Sequence, residues 1–332
     1  MSHPPNVHKY TVGWLCALPI ELAASKLVLD EQYQGLGFDP NDETKYSLGS
    51  IGNHNVVMGC LPAGEIGIGA AATVATRMRA KFPNIRFGLM VGIGGGVPSH
   101  ADVRLGDVVV SQPVGDRRGV IQYDLGKSTP DGFLHTGSLN APPQVLRQAV
   151  ANLQARHICD GGNISSYLAV IENKAKRFSR PPSESDILFS SACEHVHGES
   201  TCEKCDLSQA VSRKSRDHND VVIHYGTIAS GNRVIKSARE RDALNKKLGG
   251  VLCFEMEAAG LMNNFDCLVI RGICDYADSH KNKDWQPYAA AVAAAFAKEL
   301  LVETTPITVI NTTVISVCRI DINLQLIAVG FI

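Results

Sequence analysis

The chain predicts an α/β fold of three layers, a mixed and mostly parallel central sheet flanked by helices. Three observations carry this. Apolar runs such as Phe87 to Val91 and Cys267 to Ile273 read as strands buried on both faces, as parallel strands are. Helical patterns alternate with these runs. Glycine clusters, Gly64 to Gly69 and Gly92 to Gly96, follow apolar runs, and sheets of this kind gather ligands at strand ends.

Residues 10–17 read as the first strand, and a helix follows from Pro19 to Leu29 with proline in its opening turn. Residues 44–51 and 54–61 read as strands joined at Gly52-Asn53, a hairpin signal. The Gly64–Gly69 turn leads into an alanine-rich helix, Ala70 to Lys81. The strand Phe87 to Val91 is expected to end in a turn at Gly92–Gly96. Further strands are expected at Asp107–Ser111 and Val221–Ala229, and helices at Ser237–Lys247, at Glu257–Asn263 and from Pro287 to Leu301. This core spans residues 8–302 and shows no internal repeat. Residues 178–220 are polar and read as an excursion from it. Residues 303–332, with the β-branched run Pro306 to Val317, have no place in the core. They fit an added strand, an oligomer contact or a poorly ordered end.

The bulk composition excludes several classes. The 332 residues are 45% hydrophobic and 20% charged, with a net charge of -1, as in an ordinary soluble domain. A nucleic-acid binder would want a basic surface. No apolar run reaches the roughly 20 residues of a membrane span, and Met1-Ser2-His3-Pro4-Pro5 opens no secretory signal. Cys16, Cys60, Cys253 and Cys267 sit inside apolar runs, where a free thiol acts as a small hydrophobe. A reduced, cytoplasmic protein is expected.

Two motifs fail on inspection. Gly67-Ile68-Gly69-Ala70-Ala71-Ala72 matches a dinucleotide pattern, but the next strand leads into Gly92 where a ribose-binding acid should stand. Gly126-Lys127-Ser128 resembles a phosphate loop, but Ile121 occupies its first glycine position. The Gly92–Gly96 cluster is open enough for backbone N–H groups to approach a polar ligand, or it is merely a tight turn. Glu257 alone could be a helix N-terminal charge and Asp275 an N-cap. Yet Glu255, Glu257 and Asp275 all lie at edges of apolar runs, where an unpaired carboxylate is costly, and Arg271 interrupts an apolar strand. One shared polar cleft explains all four. Cys202-Glu203-Lys204-Cys205, with Cys193, His195 and His197 upstream, has zinc half-site spacing. Cys193, His197, Cys202 and Cys205 are the expected ligands of a structural zinc that clips the excursion.

Five segments in order carry a resemblance: Val91-Gly92-Ile93-Gly94-Gly95-Gly96, Arg104 to Ser111, Ile228-Ala229-Ser230-Gly231-Asn232, Phe254-Glu255-Met256-Glu257-Ala258 and Arg271 to Asp278. Together they resemble the nucleoside phosphorylase/nucleosidase superfamily, and within it the phosphorylase-like domains at the N-terminus of fungal multidomain proteins of the immune-receptor type. The resemblance covers about residues 8 to 302 and implies the phosphorylase/hydrolase-like fold. It implies that Met256 and Glu257 face a ribose, Glu257 accepting from its hydroxyls. Asp275 would protonate purine N7. Glu21 would position an attacking water, with Arg271 and the Gly92, Ile93, Gly94 and Gly95 backbone beside it. Glu255 and Cys274 flank these groups, and Asn232, Arg233 and Val234 lie where the base is expected. The sequence departs in three places: Cys274 stands where the family usually has serine, Val234 where an aromatic often stacks on the base, and the excursion at 178–220 is foreign to the small bacterial nucleosidases. A homo-oligomer is implied, because such sites often borrow residues from a neighbour.

Cleavage of an N-glycosidic bond passes through a cationic sugar, which fixed negative charge favours, and the leaving purine needs a proton. Phosphorolysis needs a cationic pocket. The first loop, Pro19-Ile20-Glu21, offers a carboxylate instead. The expectation is therefore a purine nucleosidase that needs no cofactor and acts on an adenine nucleoside or nucleotide, ATP first. Arg117, Arg118, Lys127, Arg233, Lys236, Lys281 and Lys283 are available for a 5′-triphosphate. The alternatives are a phosphorylase and, in another class, a nucleoside sensor without turnover.

Overall fold

A computed structural model describes residues 2–304, apart from 38, 40, 41, 131, 200 and 217–220. Its first half holds β1 (Val12–Cys16), α1 (Pro19–Leu27), β2 (Glu31–Gln32), β3 (Ser47–Ile51), β4 (His54–Cys60), α2 (Ile68–Lys81), β5 (Phe87–Gly96), β6 (Val108–Ser111), β7 (Val120–Gln122), β8 (Gly126–Thr129) and β9 (Gly132–His135). There follow α3 (Gln144–Cys159), α4 (Ile164–Lys174), β10 (Ile223–Gly226), β11 (Ile228–Ser230), α5 (Ala238–Lys247), β12 (Cys253–Glu255), β13 (Cys267–Asp275) and α6 (Gln286–Glu303).

The main path of the sheet runs β10-β6-β13-β5-β1-β4-β3-β2. Its centre, β13-β5-β1-β4, is parallel, whereas β6 runs antiparallel to β13 and β3 antiparallel to β4. The central strands are apolar because both faces are covered: all five residues of β1 and all nine of β13 are buried. On one face, Gly13 and Gly59 lie against Met78 and Val74 of α2. On the other, Gly272 lies against the backbone of α6, which packs on α1, α3 and α4. The alanine stripe of α6 is buried all round. This is the expected three-layer sandwich.

Several elements differ from expectation. β5 does not stop at Val91. It continues extended through Gly96, because β13 pairs with it up to Gly95 and β12 joins it antiparallel at Gly95 and Gly96. The expected strand 221–229 breaks at Thr227 into β10 and β11, which pair with different neighbours. The expected helix 257–263 is only a 3-10 turn at Ala258–Gly260, with Glu255 accepting from the amides of Glu257 and Ala258 at its start. Residues 112–177 carried no expectation of structure, yet α3 has helical spacing in Leu146, Ala149, Val150 and Leu153, all buried. Among the described residues of 178–216 there are only short 3-10 turns, and a bridge ties Phe189 to Ala210. Of the expected tail, Glu303 and Thr304 close α6 and the rest lies outside the described residues.

Candidate active site

The site begins with one buried guanidinium. Arg271 is 1% exposed on β13, opposite Gly92 of β5. Its Nη2 donates to Glu255 and, at 3.4 Å, to Glu257, and its Nη1 lies 4.0 Å from Glu21. Burial works against its charge, but the three carboxylates outweigh burial and raise its pKa. A side chain at position 92 would collide with both Arg271 and Glu21, so only glycine admits this cluster.

Each carboxylate is also held by backbone. Glu21 sits in the first turn of α1, whose N-terminus favours an anion. Its Oε2 accepts from Ala17 N at 2.7 Å and Leu18 N at 2.9 Å, and its Oε1 accepts from Ile93 N at 2.8 Å. Burial still raises its pKa. Glu255, at the end of β12, accepts from Glu257 N and Ala258 N. Glu257 accepts from Gly67 N at 3.1 Å. Gly67 opens α2 at φ 93, a positive value that glycine adopts freely, and the Glu257 carboxylate sits at this helix start. Burial and the charges of Glu255 and Glu21 lift Glu257 to about 7 against the pull of Arg271.

Asp275 ends β13. A bulge between Ile273 and Asp275 adds one residue against β5 and re-aims the strand end. Asp275 Oδ1 accepts from Ala277 N at 2.8 Å and pairs with Lys281 Nζ at 3.1 Å. The Cys274 thiol donates to Asp275 Oδ2 at 3.2 Å and also reaches Gly94 O. Burial, then the Asp275 charge, raises the Cys274 pKa and keeps the thiol protonated. Asp275, Cys274 and Tyr276 line a cavity of about 340 Å³ whose far wall is Phe189, Thr201, Cys202 and Leu207 of the 178–216 segment.

The expected residues do not all come together. Glu21, Arg271, Glu255 and Glu257 are brought together, with Asp275 on the adjoining strand end. The expected turn at Gly92, Ile93, Gly94 and Gly95 is strand, and the Ile93 amide serves Glu21. Met256 is half-buried beside Gly67. Asn232 Oδ1 accepts from Ile68 N and so ties the 232 loop to the start of α2. Arg233, 62% exposed, pairs with Glu240, and Val234 is half exposed. Of the seven cations available for a triphosphate, Lys281 bonds Asp275, a contact that its polar stretch Ser279-His280-Lys281-Asn282 does not reveal. Tyr123, packed edge-on against Phe254, also went unread.

The expected metal ligands are rearranged. His195, Cys202 and Cys205 bring their ligand atoms within 4.8 Å of one another. His197 is exposed, because His195, two residues earlier, is the one anchored inward through its amide to Ser279 Oγ. Cys193 lies 4.0 Å from His280 Nε2.

Residues 11–303 match the phosphorylase superfamily. An NLR-like protein of Hyaloscypha variabilis is 49% identical over 297 residues, 88% of this chain and 29% of that protein. A 5′-methylthioadenosine/S-adenosylhomocysteine nucleosidase of Mycobacterium bovis is 26% identical over 88% of this chain and 95% of its own length. The ATP nucleosidase Cap17 of Escherichia coli is 23% identical over 89% of this chain and 52% of its own length. The chain therefore spans under a third of the first of these relatives and about half of the last. Among solved structures, futalosine hydrolase of Helicobacter pylori aligns with a TM-score of 0.57 at 16% identity, over 89% of this chain and 98% of that one. At that identity the likeness concerns the fold.

Proposed function

The chain belongs to the phosphorylase superfamily, and we propose that it is a purine nucleosidase that hydrolyses the N-glycosidic bond of an adenine nucleoside or nucleotide, ATP being the first substrate to try. One observation carries the choice of water over phosphate. The cluster sets three carboxylates against one guanidinium, and Glu21, beside Arg271, is fixed by three backbone amides. A dianionic phosphate entering there meets surplus negative charge, while water meets an acceptor.

In this reading Glu257 accepts from the ribose hydroxyls, and its charge steadies the cationic sugar. The C1′–N9 bond breaks with its electron pair leaving on the purine. Asp275, which must first take up a proton, delivers it to N7, a step worth about 10²- to 10⁴-fold. Water adds at C1′ and yields its proton to Glu21, whose burial makes it a stronger base than an exposed glutamate. Lys281 must move off Asp275 Oδ1 or share it when the base binds. The relatives named for methylthioadenosine and for ATP support hydrolysis and an adenine base. Lys281, next to Asp275, is the cation best placed to meet added charge on the substrate.

The test is incubation with ATP, adenosine and methylthioadenosine in phosphate-free buffer. Free adenine is expected, fastest from ATP. Adenine that appears only on adding phosphate overturns hydrolysis and leaves the phosphorylase. Faster release from adenosine or methylthioadenosine overturns ATP as the substrate.

A further inference from the structure

We propose that the 178–216 segment holds a zinc ion through His195, Cys202 and Cys205, with Cys193 as fourth ligand, and that this ion fixes the outer wall of the cavity beside Asp275. Three ligand atoms already lie within 4.8 Å of one another, close to the spacing that a tetrahedral N/S site imposes. Cys202–Lys204 form a 3-10 turn closed by Cys205 N onto Cys202 O at 3.0 Å, which brings the two thiols of the pair together. The three converging groups are one imidazole and two thiols, a set that suits zinc over calcium or magnesium. Cys193 and His195 share a neighbour: the Cys193 thiol is 4.0 Å from His280 Nε2, and the His195 and His280 rings are 5.5 Å apart. Cys193, which shares the His280 neighbour, is the thiol assigned to the fourth position.

The segment needs such a clip. Among its described residues it has no α-helix and no sheet strand, and long segments of that kind are uncommon in compact domains. Its anchors converge on the stretch just after Asp275. His195 N donates to Ser279 Oγ at 3.0 Å, Arg213 Nη1 to Tyr276 OH at 2.6 Å, and Tyr276 OH to Asp186 Oδ1 at 2.5 Å. Phe189 stacks on His280 at 4.0 Å. Thr201 and Cys202 line the cavity together with Asp275 and Tyr276. The ion would act on the shape of this wall and would touch no reacting atom.

The experiment measures metal, so it stands apart from any turnover assay. The full chain is purified from zinc-supplemented cells, desalted and analysed by elemental mass spectrometry. One zinc per chain is expected, with X-ray absorption showing three sulfurs and one nitrogen. Cys202→Ser/Cys205→Ser should hold less than about a tenth of it, and Cys193→Ser should lose zinc to a chelator roughly tenfold faster. Where the double variant fails to fold, the wild-type protein is titrated with a mercurial thiol reagent, and a metallochromic dye should report one zinc released per chain. A protein that carries no zinc, even after equilibration with zinc chloride, overturns the proposal. So does a folded double variant that keeps its zinc, or a mercurial titration that blocks the thiols without releasing metal.

Discussion

Arg271 and Asp275 stand four residues apart on one strand, yet the protein holds them by different means. Arg271 is locked. Its partners are carboxylates that are themselves bound by backbone amides from the loop before α1, from β5, from the turn after β12 and from the start of α2. Asp275 is held more loosely: one backbone amide, one lysine and one thiol, beside a cavity walled by an irregular segment. Backbone partners are hard to vary by mutation, whereas side-chain partners are easy to exchange. On the proposed function, the side assigned to sugar and water is therefore built to be constant, and the side assigned to the base to be adjusted.

The strongest way to break this contrast is through the fold. Arg271→Leu leaves three buried carboxylates without their cation, at a cost of about 3–5 kcal/mol. That is a large share of a typical domain's stability. Urea unfolding should show the loss, and Asp275→Asn, measured alongside, should unfold near the wild-type midpoint. Equal midpoints for the two variants would mean that Arg271 is no more structural than Asp275.

Next in size is the rate. Asp275→Asn cannot supply a proton but keeps its shape, so kcat should fall by about 10²- to 10⁴-fold with nucleotide binding retained. Calorimetric titration beside the adenine assay separates the two. A variant that keeps its rate removes Asp275 from the chemistry. A wild-type protein that binds without turnover makes the domain a sensor.

The cluster also has a pH signature. Glu257 must be ionised to favour the cationic sugar, so kcat/KM should rise as pH climbs through about 7, and Glu257→Gln should lose that limb along with most of its rate. Stability should move the other way. A carboxyl raised in the folded state favours folding only while protonated, fully so below about 4.5, the unfolded value, and the contribution is lost as pH rises through about 7. The wild-type melting temperature should therefore fall over that window relative to Glu257→Gln. Parallel melting curves for the two proteins would remove the raised carboxyl from the account.

What the sequence revealed follows the same division. β1, β5 and β13 were legible because a strand buried on both faces is a continuous apolar run, and Arg271 stood out as a charge inside one. Glu255, Glu257 and Asp275 were legible for the same reason. The extension of β5 through its glycines was not, because it depends on pairing with β12 and β13, distant in sequence. The contact of Lys281 with Asp275 was hidden for a different reason: nothing local separates a lysine that folds back onto Asp275 from one in solvent. The choice of His195 over His197 likewise rests on a bond to Ser279, more than eighty residues away.

The smallest expected effect is the sharpest test of the contrast. Cys274→Ser replaces a weak S–H donor by O–H at the Oδ2 edge of Asp275. The bond gained is worth about 0.5–1.5 kcal/mol, so it changes the rate by no more than roughly tenfold. The firmer hold on Asp275 should raise kcat within that limit and leave the melting temperature nearly unchanged. If the edge is adjustable, steady-state kinetics will show a shift of that size and sign. A hundredfold loss would mean instead that Cys274 is as tightly built into the proposed chemistry as Glu21, and the division between a constant side assigned to the sugar and an adjustable side assigned to the base would fail at a residue where the chain departs from its family.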